Sequence, residues 1–134
     1  MTLTTEYLFV YGTLMKGFEN PFAEKVNKHA VFEGNGSFPG LLYQVEWYPG
    51  AVYSKESGFT VFGEVYKIQN TPELLQELDE YEDVFEDERV SLYVRRIVPV
   101  KLENKRVLDC WVYLYNQPVA DLMQIESGNF REMY

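Results

Sequence analysis

A chain of 134 residues with 46% hydrophobic and 16% aromatic content can build a core without staples, and reads as one folded domain rather than a disordered segment. A formal net charge of -9 argues against nucleic acid and anionic membranes as partners, and no apolar run approaches the ~20 residues of a membrane span. One Cys and one His, far apart, exclude an internal disulfide, a Cys/His zinc site and a Cys–His nucleophile pair. The N-terminus Met-Thr-Leu-Thr-Thr-Glu lacks a basic region and a signal core, so a soluble protein of a reducing cytoplasm is expected. The acidic run lacks the Asp/Asn/Gly spacing of a calcium loop, and no metal is expected.

Strand signals dominate the chain. Residues 6–11 are a near-continuous apolar run stopped by Gly12, the pattern of a strand covered on both faces. Residues 21–29 have the spacing of a short amphipathic helix, with His29 at its C-terminal end. Residues 30–37 form a strand pattern in which Gly34-Asn35-Gly36 marks a turn or bulge, and residues 41–45 form another. Residues 60–68 alternate cleanly, Val61, Gly63, Val65 and Lys67 against Phe62, Glu64, Tyr66 and Ile68. Beyond the helical segment at 71–82, residues 92–102 and 106–115 are two strands joined by Glu103-Asn104-Lys105, a hairpin signature. Arg95 and Arg96 point to opposite faces of the first of these, and Cys110 on the second reads as buried and inert. The tail, 117–134, is mixed, with room for one more short helix. Many strands, one substantial helix and few crossover units predict an α+β domain, a small mostly antiparallel β-barrel or curled sheet able to hold one small ligand at its mouth.

The helix carries the most informative residue. Nine of the 21 acidic residues lie between Glu73 and Glu88. Thr71 suits the N-cap, Pro72 the first helical position and Glu73 the positive end of the dipole. Stepping about 100° per residue puts Leu74, Leu75, Leu78 and Tyr81 on one apolar stripe, with Glu73, Glu77, Asp79, Glu80 and Asp83 outside it as solvent-facing charges. Glu82 falls inside the stripe. A carboxylate there is paired, protonated or used, unless the helix frays before it.

A second feature is Phe9-Val-Tyr-Gly-Thr-Leu14, a strand running into a Gly-containing turn whose main-chain N–H groups can cradle a carboxylate or an oxyanion. It resembles the Tyr-Gly-Ser/Thr-Leu signature of the γ-glutamylcyclotransferase-like proteins, especially their γ-glutamylamine cyclotransferase (AIG2-like) branch. Further blocks resemble that family in the order it shows them: Tyr48-Pro-Gly-Ala-Val52, Gly63-Glu-Val-Tyr66, Leu78-Asp-Glu-Tyr-Glu82, Tyr93-Val-Arg95, Trp111-Val-Tyr-Leu-Tyr115 and Ile125-Glu-Ser-Gly-Asn-Phe-Arg131. Together they extend over nearly the whole chain, residues 1–134, which the resemblance makes a single domain of that type. Three positions depart from the family pattern: Asp83 where Gly is usual, Asn129-Phe130 for Asp-Trp, and Thr13 for the commoner Ser.

The resemblance implies release of 5-oxoproline from a small-molecule γ-glutamyl amine or γ-glutamyl amino acid, without a cofactor. The substrate's α-amine, an ammonium with a pKa of about 8 when protonated, attacks its own γ-carbonyl and expels the amine. Glu82, at the family's catalytic position, would be general base and then general acid, since a carboxylate on an apolar face accepts protons nearer neutrality. Tyr11, Gly12, Thr13 and Leu14 would form the substrate-binding turn. Arg95, in the Tyr-x-Arg block, is the arginine expected at the pocket, and Tyr115 is open between a hydroxyl contact and a packed barrel residue. Two other functions use the same site: a non-catalytic small-molecule-binding module, and a hydrolase releasing glutamate through an activated water.

Overall fold

The computed structural model describes residues 5–12, 28, 30–45, 48–68, 71–81 and 88–130. The apolar run near the N-terminus forms β1 (Tyr7–Val10), in which Leu8, Phe9 and Val10 are all buried, as a doubly covered strand requires. β2 (Ala30–Gln44) is followed by β3 (Pro49–Tyr53) and β4 (Thr60–Ile68). Helix α1 (Thr71–Tyr81) follows, and β5 (Tyr93–Leu102), β6 (Val107–Tyr115) and the two-residue β7 (Met123–Gln124) complete the order.

β4 lies between β2 and β1, both antiparallel to it; β1 runs parallel to β6 with Leu8 opposite Trp111; β6 pairs antiparallel with β5. β5 then returns to β2 at Gly36↔Leu102 and Ser37↔Lys101. The circuit is a closed five-stranded barrel, with β3 and β7 flanking the far half of β2. It is the expected α+β fold, antiparallel apart from β1–β6. Opposite partners share a face, so Phe9 meets Val65, Phe38 meets Val61 and Val98 meets Cys110 inside the barrel, where small barrels are filled by side chains.

Leu74, Leu75 and Leu78 are buried and Glu73, Gln76 and Glu77 exposed, so α1 presents the stripe that its spacing predicts. The turn at 103–105 closes β5–β6: Lys105 takes φ 71° and donates its N–H to Leu102 O at 2.9 Å.

Several local expectations change. The strands expected at 30–37 and 41–45 are one continuous strand, Ala30–Gln44. Pro39 lacks a donor, but it sits where β2 exchanges β4 for β3, so no ladder bond is lost. The expected irregularity at 34–36 is a β-bulge between Phe32 and Gly34. Residues 49–53 carry no strong strand pattern and become β3 only because β2 offers an edge. The described tail holds β7 and turns through residue 129, is 3-10 helical at Phe130, and buries Ile125 and Phe130; the rest of the span where a short helix was expected, 131–134, lies outside the described residues. The helix expected at 21–29 lies outside the described residues except Lys28, which is helical.

Candidate active site

The last turn of α1 is fastened to the outer face of β5 and β6 by directional polar contacts. Arg95 on β5 donates from Nε to Asp79 Oδ1 at 2.8 Å and from Nη2 to Oδ2 at 3.1 Å, a bidentate pair. The Tyr113 hydroxyl on β6 donates to the same Asp79 Oδ1 at 2.7 Å, with Leu75 O farther off at 3.4 Å. The Arg95 guanidinium also lies 4.4 Å from the centre of the Trp111 ring, a cation–π contact. Asp79 is therefore not the solvent-facing charge that helical spacing suggests. Its carboxylate is half-buried, because two strands present donors to that side of the helix. Arg95 is paired with Asp79 of α1; Arg96, on the opposite face, is exposed.

Tyr113 has a second role through its main chain. The Tyr11 hydroxyl, at the end of β1, donates to Tyr113 O, and the Ala51 N–H of β3 donates to the Tyr11 oxygen at 3.2 Å. The buried Tyr11 phenol is thus a strut joining β6 to β3. Gly12 follows, half-buried against β3: a Cβ there would lie 2.9 Å from Pro49 Cγ. Pro49 O in turn accepts the Tyr93 hydroxyl at 2.6 Å, and Tyr93 packs edge-on to Tyr115 with ring centres 5.6 Å apart. Tyr48 stands on the other side of Tyr93, at 6.4 Å. Tyr115 is a packed barrel residue, its ring lying over Gly50.

The segments 9–12, 48–52, 93–95 and 111–115, scattered along the sequence, meet at this end of the barrel, and α1 is bonded to the same group. Thr13, Leu14 and Glu82 lie outside the described residues, as does His29. Residue 82 directly follows the last residue of α1.

Cys110 stands apart from this end. It is fully buried, and its thiol is pushed up to about 12, by burial first and by the Asp109 charge second. A thiol so held is protonated and unreactive, as expected. Where β2, β4 and the 103–105 turn meet, a groove of about 610 Å³ is lined by Asn35, Ser37, Phe62, Glu64, Lys101 and Asn129 among others. It includes Gly63 and Glu64 of one family block and Asn129 of the tail, but neither Tyr11 nor Gly12 of the expected binding turn. Among the described residues, no three His, Cys, Asp or Glu side chains come together to hold a metal ion.

Residues 8–132 match the family model described as gamma-glutamyl cyclotransferase, AIG2-like. The chain belongs to the AIG2-like γ-glutamyl cyclotransferase family. A gamma-glutamylcyclotransferase family protein, ytfP, of Citrobacter rodentium is 34% identical over 134 residues, covering 95% of this chain and 98% of its own. Among solved structures, ytfP of Escherichia coli is 32% identical with a TM-score of 0.63, over 95% of this chain and 97% of that one. An aig2-like protein of Mus musculus is 28% identical with a TM-score of 0.69, over 91% and 86% of the two chains. Membership in this family supports cyclotransferase-type activity for the chain.

Asp79 and Tyr113 are the two residues of this cluster that sequence reasoning passed over. A signal existed for the first: an acid inside the Leu-Asp-x-Tyr-Glu block and an arginine inside the Tyr-x-Arg block are natural partners. Tyr113 lies inside the Trp111–Tyr115 block, but nothing there sets it apart from the other tyrosines of the chain.

Proposed function

We propose that this chain is a cofactor-independent γ-glutamyl cyclotransferase, acting on a small γ-glutamyl amine or γ-glutamyl amino acid, with Glu82 as general base and acid. The substrate's α-ammonium gives a proton to the Glu82 carboxylate. The freed nitrogen then attacks the γ-carbonyl carbon, a C–N bond forms in the five-membered ring, the bond to the leaving nitrogen breaks as Glu82 returns the first proton to it, and the ring nitrogen's second proton passes by way of Glu82 to the released amine, which departs as an ammonium. The products are 5-oxoproline and an amine. Main-chain N–H groups of the turn Tyr11, Gly12, Thr13 and Leu14 hold the substrate's α-carboxylate or the developing oxyanion. Because the reaction is intramolecular, folding the substrate so that amine and γ-carbon meet supplies much of the rate. The single free cysteine goes with a reducing cytoplasm as the place of action.

The observation that carries this reading is a shared tether. The side chain opening the turn and the helical turn preceding Glu82 are both hydrogen-bonded to one residue, Tyr113. Tyr11, which opens the proposed turn, and Asp79, three residues before the proposed base, are thus tied to one residue of the barrel.

The test is 5-oxoproline release from γ-glutamyl amino acids, γ-glutamyl-ε-lysine and glutathione by wild type and Glu82→Gln. Wild type is expected to turn over at least one compound, and the variant to lose about 10²-fold or more of kcat with its fold intact. Equal rates in both proteins would remove Glu82 from the mechanism. A product one water heavier than 5-oxoproline would identify a hydrolase.

A further inference from the structure

We propose that Tyr113 is a positioning residue, holding the last turn of α1 at a fixed height and rotation relative to the substrate-binding turn. The inference rests on the reading of Glu82 as the base.

The stripe of Leu74, Leu75 and Leu78 decides which face of α1 lies against the barrel, but apolar contact is non-directional and leaves sliding and rolling weakly restrained. Hydrogen bonds are directional, and α1 has them near its C-terminal end. Asp79 accepts from Tyr113 at 2.7 Å and from Arg95 at 2.8 and 3.1 Å. Asp79 stands three residues before Glu82 in the chain, so whatever fixes Asp79 also limits where the chain can carry Glu82.

Arg95 alone would moor the helix to β5. Tyr113 does more, because it is bonded at both ends. Its hydroxyl holds Asp79, while its own carbonyl oxygen accepts the Tyr11 phenol, and Tyr11 leads directly into Gly12. From helix to binding turn the path is Asp79 carboxylate, Tyr113 side chain and main chain, then Tyr11 side chain. Every member is buried or half-buried, away from competing water. An error of about 1 Å in placing a base costs up to ~10²-fold in rate, so such a brace acts on chemistry more than on binding.

Tyr113→Phe removes one hydroxyl and keeps the ring and the carbonyl that serves Tyr11. With the γ-glutamyl compound that wild type turns over fastest, kcat is expected to fall roughly tenfold to a hundredfold while KM stays within about threefold. The acidic limb of kcat/KM against pH is expected to move, since that limb reports the essential base. Circular dichroism should show a folded protein at the assay temperature. Arg95→Lys, which keeps the charge but loses the bidentate fork, should shift kcat the same way by a smaller factor.

Wild-type kcat and pH profile in Tyr113→Phe would overturn the proposal, as would a loss matching only the unfolded fraction. Glu82→Gln measured beside it separates the two readings. An inactive Glu82→Gln with a normal Tyr113→Phe sinks the positioning role alone. A fully active Glu82→Gln, or a wild type silent on every γ-glutamyl compound, sinks both.

Discussion

Asp79 departs from what its neighbours in sequence suggest, whereas Cys110 follows its strand position. Asp79 sits on the polar side of an amphipathic helix, yet two strands supply it with three hydrogen bonds. Cys110 alternates correctly into the barrel, and burial holds its thiol at about 12. An unfolded chain exposes that thiol near its ordinary value of about 8.5. Below that pH the thiol is protonated in both states and contributes fully to stability. Between there and about 12 only the unfolded chain releases the proton, so stability falls as pH rises, by up to about 1.4 kcal/mol per pH unit. Urea unfolding between pH 7.5 and 10.5 should show wild type losing stability more steeply than Cys110→Ala. Parallel slopes would mean that the thiol titrates alike in both states.

At the scale of elements, spans written in local pattern were legible. The alternation at 60–68 coincides with β4, and the capped amphipathic run beginning at Thr71 with α1. β3 was not legible, because a five-residue strand opening with Pro-Gly has little pattern of its own. Nor was the continuity of β2 across Pro39, which depends on the exchange of partners there. Packing between elements also sets a limit that residue type conceals. Gly63 on β4 lies so close to β1 that an added Cβ would run into the Val10 carbonyl oxygen and lie 2.7 Å from Phe9 Cζ. The backbone of a central strand cannot retreat. Gly63→Ala, mild on most strands, is therefore expected to cost about 1–3 kcal/mol, at the upper end of overpacking penalties. Chemical denaturation measures it, and a cost under about 0.5 kcal/mol, the usual range for surface changes, would show that β1 and β4 can part.

For the whole molecule, the β2–β5 seam that shuts the barrel is short beside the β5–β6 ladder. β5 and β6 pair from Tyr93↔Tyr115 to Lys101↔Val107, whereas β2 and β5 meet at Gly36↔Leu102 and Ser37↔Lys101. The Glu103 N–H, donating to Asn35 O at 3.2 Å, extends that seam by one bond. Fewer bonds per opening mean a smaller opening free energy, so the Glu103 amide should exchange well before the slowest amides of β5 and β6. Native-state hydrogen exchange by NMR tests this. Protection of Glu103 equal to the slowest amides would make the barrel open only as a unit.

Local chemistry determined which stretches are strands, where the helix begins, and which residues resemble those of the γ-glutamyl cyclotransferases. Alternation, capping and turn signals are carried by residues near one another in the chain, so one sequence suffices to read them. Closure of the barrel and the Tyr113 joint were decided by tertiary structure alone. Tyr113 meets Asp79 across 34 positions and Tyr11 across 102. Contacts at such separations form only when the whole sheet curls and packs, and they leave no periodicity along the chain to be read beforehand.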